Sequence, residues 1–396
     1  MATLAPAGPG IRARRARIAV AAVFLTNGAL FANLVPRYPE VKESLDLSNA
    51  LLGTALAAGP LGALTGGLFA SAVIRRIRSA RAGAFGIPLI ALGFLLVAVV
   101  PSWWALAAVL LLADAADAIV DVAQNAHGLR VQRLYGRSIV NSFHGVWSIG
   151  AVLGGLMGSA AAGLGIPLLV HLVVAGVLFS VVALVAYRFL LPGPDDTERE
   201  PAPPAPRAFP RTAVWMLAAL GGLALFGSLV EDAGASWGAL FLTEDLGATA
   251  ATAGLAFVAL QVAMTVGRLL GDRAVDRFGQ RTVTRTGGAV AAAGMGVALA
   301  FPSVGTALAG FALAGLGTAT LVPAAMHTAD ELPGLPPGAG LTIVSWVLRV
   351  GFLASPPVVG LVADHSSLRV GLLSVVIAGV GTLVLGRVLL NRPAPR

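Results

Sequence analysis

Three aspartates, Asp114, Asp117 and Asp121, stand in a stretch that is otherwise apolar from residue 103 until Gln124 and Asn125. At 3.6 residues per turn, Asp114, Asp121, Asn125 and Gly128 fall on one stripe of a helix, with Asp117 and Gln124 beside it. An acid at the centre of a membrane helix costs about 2.5–3.5 kcal/mol to insert, so three facing lipid would cost roughly 8–10 kcal/mol. The stripe must therefore face water, cations or other carboxylates. Its available chemistry is proton and cation binding, and Asp114 or Asp117 is expected to exchange a proton. The competing reading is structural: Asp121 or Asp114 pairs with Arg130 or Arg133 near the membrane surface.

Other polar residues keep similar company. Glu231 and Asp232 are adjacent, about 100° apart on a helix, so one of them is expected to point squarely inward. Trp237, six residues beyond Glu231, is expected to offer a stacking wall for a ring or sugar face; alternatively the acidic pair is simply hydrated at an outer mouth. Arg349 lies nine residues into its apolar run, about 14 Å along a helix and close to the bilayer midplane. An unpaired Arg there is expensive, so it needs a carboxylate, Glu231 first or the aspartate stripe second, or an anionic substrate. His144, in the segment SFHGVWSIG with Trp147, is either a proton relay or a satisfied hydrogen bonder. Asn27 and His327 are further polar positions on the same expected pathway.

Several chemistries are excluded. The chain has no cysteine, hence no disulfide or thiolate metal site. Its five histidines show no metal-ligand spacing. No Gly-rich loop ends in Lys-Ser/Thr, which leaves ATP-driven chemistry without support. Neither a metal nor a cofactor is expected. An enzyme or receptor is the remote alternative, since no nucleophile–base constellation and no folded soluble domain is visible.

The elements that position these residues are long apolar runs. Hydrophobic residues make up 57% of the 396 and charged residues 12%, against about 25% charged in soluble domains. The runs, 18–36, 49–74, 82–100, 103–127, 139–162, 166–190, 212–242, 250–271, 283–302, 304–329, 340–363 and 368–390, have the length that spans roughly 30 Å of hydrocarbon. They predict an all-α polytopic membrane protein of twelve helices. The seventh is too long for one straight crossing and is expected to tilt or break near Gly234. The second six runs repeat the first six at an offset of 201 residues: Leu45, Gly53, Ala55, Gly66, Leu68, Arg76 and Gly150 meet Leu246, Gly254, Ala256, Gly267, Leu269, Arg277 and Gly351. A duplicated six-helix unit implies two pseudo-symmetric bundles with a pathway between them. The expected organisation is a tail over 1–17, bundles over 18–191 and 212–390, a linker over 192–211, and a tail over 391–396. The linker is Pro-rich and charged and cannot bury a core.

Charge sets the expected orientation. Of the 27 basic residues, 23 fall in the tails and loops of one side, while Arg37, Lys42 and Arg369 fall on the other and Arg349 is inside a span. The positive-inside rule puts both termini and the linker in the cytoplasm. The net charge of +8 is thus a topology signal and not a nucleic-acid footprint, which would need a compact basic face with stacking aromatics. The apolar run from about Ile18 reads as an uncleaved first span.

The loop Gly271-Asp-Arg-Ala-Val-Asp-Arg-Phe-Gly-Gln-Arg281 resembles the signature loop of the major facilitator superfamily, with Asp276, Arg277, Gly279 and Arg281 in register. There it acts as a gating charge latch between cytoplasmic helix ends. The first-half copy has Ser71 where the family has Asp. Gly150 to Gly155 resembles the fifth-helix antiporter motif, with Ala151 in place of its proline. The stretches Asp121 to Gly128 and Ser142 to Ser148 are similar to a bacterial branch that includes rhizopine-transporter-like proteins. The resemblance covers essentially the whole chain. It implies the major facilitator fold, in which the first, fourth, seventh and tenth helices line the central cavity and the third, sixth, ninth and twelfth face lipid. It further implies a monomeric secondary transporter of the bacterial cytoplasmic membrane, working by alternating access. Proton-coupled movement of a small polar organic solute, sugar-like or cationic, is the first reading; drug or metabolite efflux by proton antiport is the alternative.

Overall fold

The computed structural model describes residues 10–135, 139–193, 211–333, 335 and 339–389. Residues 194–210, nearly all of the expected linker (192–211), lie outside the described residues, as do residues 1–9 of the expected first tail and the whole of the last one (391–396). Among the described residues every regular element is a helix, as backbone groups in hydrocarbon require. Among the same residues, eleven helices are long and apolar enough to cross a membrane. The remaining long helix is Trp103–Tyr135, the one that carries the three aspartates.

In the first half the spanning helices are α1 (Ile11–Leu34), α2 (Asn49–Ile77), α3 (Ser79–Val97), α4 (Trp103–Tyr135), α5 (Val140–Gly163) and α6 (Leu168–Tyr187). In the second half they are α7 (Arg211–Asp232), α8 (Leu255–Phe278), α9 (Gln280–Ala300), α10 (Val304–Thr318, resuming as Leu321–Asp330), α11 (Ala339–His365) and α12, which begins at Leu368–Gly371 and continues as Leu373–Leu385. The expected runs therefore hold, with three clear extensions: α1 begins at Ile11 and not near 18, α8 ends at Phe278 and not near 271, and α4 is longer as well. α4 ends at Tyr135 and not near 127, because charge ends a membrane crossing without ending a helix. The long seventh run breaks where expected: from Ala233 to Trp237 it widens into π-helix, and it does so again from Phe241 to Asp245.

The internal repeat is visible in the backbone itself. Ser48 caps α2 through its side chain, and Thr249 caps the turn that leads into α8 in the same way. Asp46 and Gly247, two residues before these caps, both have positive φ, 49° and 63°. Arg78, between α2 and α3, has φ 74° and ψ 152°; Gly279, between α8 and α9, has φ 81° and ψ 146°. Each of these pairs is 201 residues apart.

Helices meet through small residues, as is usual where lipid offers no hydrophobic drive for association. On α5, Gly150, Gly154 and Gly158 sit over the carbonyls of Leu25, Ala29 and Asn33 on α1, so a Cβ at any of them would strike backbone. Gly351, the counterpart of Gly150, packs against Ser228 on α7. The outward faces of α3, α6 and α12 expose rows of large apolar residues, among them Leu89, Val177, Val181, Ile377 and Val380, as lipid contact requires.

The two halves are tied at the end remote from the chain termini. Lys42 Nζ meets Glu244 Oε1 at 2.6 Å. The Asp364 carboxylate at the end of α11 accepts from the backbone N–H groups of Asn49 (2.8 Å) and Ala50 (2.9 Å), capping α2 from the other half. Near the same end, Arg37 is 2% exposed. Its charge is met by Glu40, by the Ile166 carbonyl at 2.8 Å and by His171 Nδ1 at 3.3 Å. His171 in turn donates from Nε2 to Asn33 at 2.7 Å. A buried cation is tolerated only with partners of this kind.

Candidate functional site

A cavity of about 360 Å³ lies between the halves, within the range of small-molecule sites. Five carboxylates line it: Asp114, Asp117 and Asp121 from α4, and Glu231 and Asp232 from the end of α7. One guanidinium, Arg349 from α11, accompanies them. Aromatic side chains supply much of the remaining wall, namely Phe31, Tyr38, Phe94, Trp147, Phe257 and Phe352.

The α4 stripe is built as its spacing predicts, yet its three carboxylates have different surroundings. Asp117 accepts from Asn27 Nδ2 at 2.5 Å, and the Asn27 carbonyl accepts from Trp147 Nε1 at 2.8 Å. A chain of three side chains thus joins α5, α1 and α4. Asp121 accepts from Asn125 at 3.0 Å and from Gln124 at 3.3 Å, both on its own helix. Because Asn125 donates through its nitrogen, its oxygen is the acceptor for His144 Nε2 at 3.1 Å. Asn125 and His144 therefore stand behind Asp121 and not on the cavity wall, with the His144 ring edge-on to Phe24. Asp114 lies against Gly59 of α2, whose missing side chain makes the room for it. No donor among the described residues reaches the Asp114 carboxylate.

On the other side, Glu231 and Asp232 both reach the cavity, where only one was expected to do so. Both lie in the α-helical part of α7, about 100° apart, and the cavity wall takes in that whole arc. Asp232 is 6% exposed and accepts from Ser236 Oγ at 2.6 Å through Oδ1.

Beyond Asn125 and His144, four more expectations are corrected. Trp237 does not line the cavity: it closes the π-wound segment, is fully buried, and lies beneath Gly360 of α11. Arg349 does not pair with Glu231 or with the α4 aspartates; no carboxylate among the described residues lies within ion-pair distance of it. It stays exposed at one edge of the cavity, which removes the need for a buried counter-charge. Glu231 instead has Arg268 of α8 at 3.9 Å. His327 is off the wall, largely exposed, with Glu331 one turn on at 3.7 Å. The tenth helix as a whole contributes no lining residue. Gly315 and Gly317 draw α10 onto the backbones of α8 and α9, and the Thr318 hydroxyl is spent on the Ala314 carbonyl. α2 and α11 take its place on the wall.

In the resembled signature loop, Gly279 makes the reversal between α8 and α9. Arg281 donates from Nε and Nη2 to the Leu389 carbonyl at 3.1 and 3.0 Å, holding the end of the last helix. Arg277 lies over the Phe278 ring. Asp276 forms no ion pair among the described residues.

Gln261 of α8 was missed by the sequence reading. It lines the cavity, is 1% exposed, and has no partner for its side-chain nitrogen. Tyr38 and the wall phenylalanines were missed as well.

Residues 223–396 match the family description Major Facilitator Superfamily. An MFS-type transporter of Yersinia pestis is 30% identical over 354 residues, 88% of each chain. Membrane protein MosC of Rhizobium meliloti is 30% identical over 362 residues, covering 91% of this chain and 87% of that one. Among solved structures, a bacterial homolog of the human lysosomal transporter Spinster, inward-facing and occupied, superposes with a TM-score of 0.70 at 16% identity, over 94% of this chain and 95% of that one. A D-xylose–proton symporter superposes with a TM-score of 0.70 at 15% identity, over 94% and 96%. These two likenesses establish the twelve-helix fold, and the relatives at 30% over most of their length establish the family: this chain belongs to the major facilitator superfamily and is a multi-pass membrane transporter.

Proposed function

We propose that the chain is a proton-coupled secondary transporter of the bacterial cytoplasmic membrane that moves a small polar organic solute carrying positive charge. The observation that carries this reading is the cavity wall, where five carboxylates face one guanidinium and the Asp114 carboxylate has no donor among the described residues. A carboxylate enclosed between two helix bundles without a partner is costly, by several kcal/mol. It can be neutralised by a proton or by a cationic group of the solute. Alternating access then follows from one rule: the halves rock past the enclosed state only when Asp114 is neutralised. Asp117 is held by Asn27 and Trp147 and sets the shape of the site. The aromatic wall adds attraction for a desolvated cation, worth about 0.5–2 kcal/mol per well-placed ring.

The test uses purified protein in proteoliposomes under an imposed pH gradient, with a panel of small organic amines. Asp114→Asn should abolish gradient-driven flux, by about 100-fold or more on the free-energy scale above, while leaving the detergent melting temperature close to the wild-type value. Gradient-driven flux at the wild-type rate in that variant would remove Asp114 from the mechanism. Wild-type flux that ignores the pH gradient would reject proton coupling.

A further inference from the structure

The cavity wall carries five negative groups and one positive, and the positive one is unspent. Arg349 lines the cavity on α11, where it is exposed. No hydrogen-bond or ion-pair partner meets its guanidinium among the described residues. Its Nη1 lies beside Gly67 of α2, 3.6 Å from where a Cβ would stand. A guanidinium carries its N–H donors in a planar fork that grips a carboxylate through two parallel bonds. Within reach of a solute and free of protein acceptors, that fork is a ready site for an oxyanion.

The internal repeat shows that the fold does not require this charge. At the 201-residue offset Arg349 corresponds to Ser148, a small neutral residue that is 3% exposed, and Asp114 corresponds to Gly315. Helix packing is satisfied without charge at either position, because the duplicate does without it. The rest of the wall argues against a lone anion. Five carboxylates repel it, so an anionic group is favoured only on a solute that brings its own positive charge.

Asp114 and Arg349 lie against the same helix. Asp114 is beside Gly59 and Arg349 beside Gly67, positions about 12 Å apart along the axis of α2. A pair of about 2.8 Å at each end leaves roughly 6 Å between the charged atoms of a solute that meets both. We propose that Arg349 is the subsite for a carboxylate of the transported solute. The guanidinium holds the two carboxylate oxygens while the solute's ammonium group neutralises Asp114. A carboxylate suits the wall better than a phosphoryl group, because its single charge meets less repulsion from the five acids. The inference rests on reading Asp114 as the cation site. It makes the solute a zwitterion whose charges are several carbons apart; an α-amino acid, with one carbon between them, is too short to meet both.

Three probes with the same carbon chain separate these statements: γ-aminobutyrate carries both charges, butylamine the ammonium alone and butyrate the carboxylate alone. Binding of each to the detergent-purified protein is measured by titration calorimetry. The wild-type protein should bind γ-aminobutyrate about ten-fold or more tightly than butylamine. Arg349→Ala should bring that ratio to one or below by weakening γ-aminobutyrate and butyrate, with butylamine held or tightened as the positive charge leaves the wall. Arg349→Gln repeats the test should the alanine variant fail to fold. Arg349→Lys, which keeps the charge without the fork, should recover part of the preference. A ratio that survives in the folded alanine or glutamine variant overturns the subsite. So does a wild-type protein that does not prefer γ-aminobutyrate to butylamine, or that binds none of the three. Butylamine binding that persists beside such a result leaves the cation site at Asp114 standing. Butyrate bound as tightly as γ-aminobutyrate, and lost with Arg349, would instead reject the cationic solute and leave the carboxylate subsite in place.

Discussion

At the scale of residues, the cavity separates charges that look alike in the sequence. Asp117 and Asp121 each have donors within hydrogen-bond distance, and Asp114 has none among the described residues. Arg349, which depth alone marked as a buried ion-pair partner, is exposed at the edge of the cavity, and Glu231 has its nearest cation in Arg268 at 3.9 Å. Arg349→Ala should therefore change the melting free energy by no more than about 0.5 kcal/mol, the range of exposed substitutions. Its effect should add to that of Glu231→Gln, since neither removes a partner of the other. Melting of the two single variants and the double in detergent checks this, and a double variant more stable than the sum predicts would restore the pair. The α4 aspartates, Asn27 and the Glu231–Asp232 pair were legible because a polar group in an apolar run has a large insertion cost and must face inward. That rule also covers Gln261, which the sequence reading passed over. Phe31, Phe257 and Phe352 were not legible, because a phenyl ring is equally at home against lipid and on a cavity wall. Trp237 was misplaced because its direction depends on π-winding that residue spacing does not reveal.

At the scale of elements, helix positions follow from apolar length and from the residues that break it, so most ends were read to within a few residues; the start of α1 and the ends of α4 and α8 run seven or eight residues further, because charge ends the apolar run without ending the helix. What the sequence did not show is which helix comes forward to the cavity. The fold resemblance put α10 on the wall; glycines that draw α10 onto α8 and α9 take it off. The repeat also reveals a conflict at one turn. Arg78 adopts φ 74° and ψ 152°, a region that is essentially glycine's own, and its counterpart in the second half is Gly279. Holding a side chain there costs about 1–3 kcal/mol. Arg78→Gly should raise the melting temperature, by an amount reduced somewhat by the added freedom of glycine in the unfolded chain. The same change toward alanine should bring no such gain, since alanine keeps the Cβ. Equal melting of the glycine and alanine variants would show that the gain, if any, comes from the lost charge and not from the backbone.

At the scale of the whole molecule, the contacts that join the halves and the distribution of basic residues together set which end is closed and which side it is expected to face. Lys42 with Glu244, and Asp364 over the start of α2, close the end remote from the termini. Basic residues cluster on the opposite side, in the tails and in the loops after α2, α4 and α8. If the positive-inside rule holds, the closed end is the outer one. The chain has no cysteine, which makes the orientation directly testable. A cysteine replacing Ser102, exposed in the turn between α3 and α4, should react in intact cells with a membrane-impermeant maleimide. One replacing Ala205, in the linker, should react only after the cells are opened. The reverse pattern would invert the topology and turn the closed end toward the cytoplasm. It would leave the cavity chemistry untouched, because Asp114 and Arg349 line the cavity between the halves whichever way the protein is inserted. The orientation of the membrane protein and the identity of its binding groups are therefore independent claims, and the labelling experiment tests only the first.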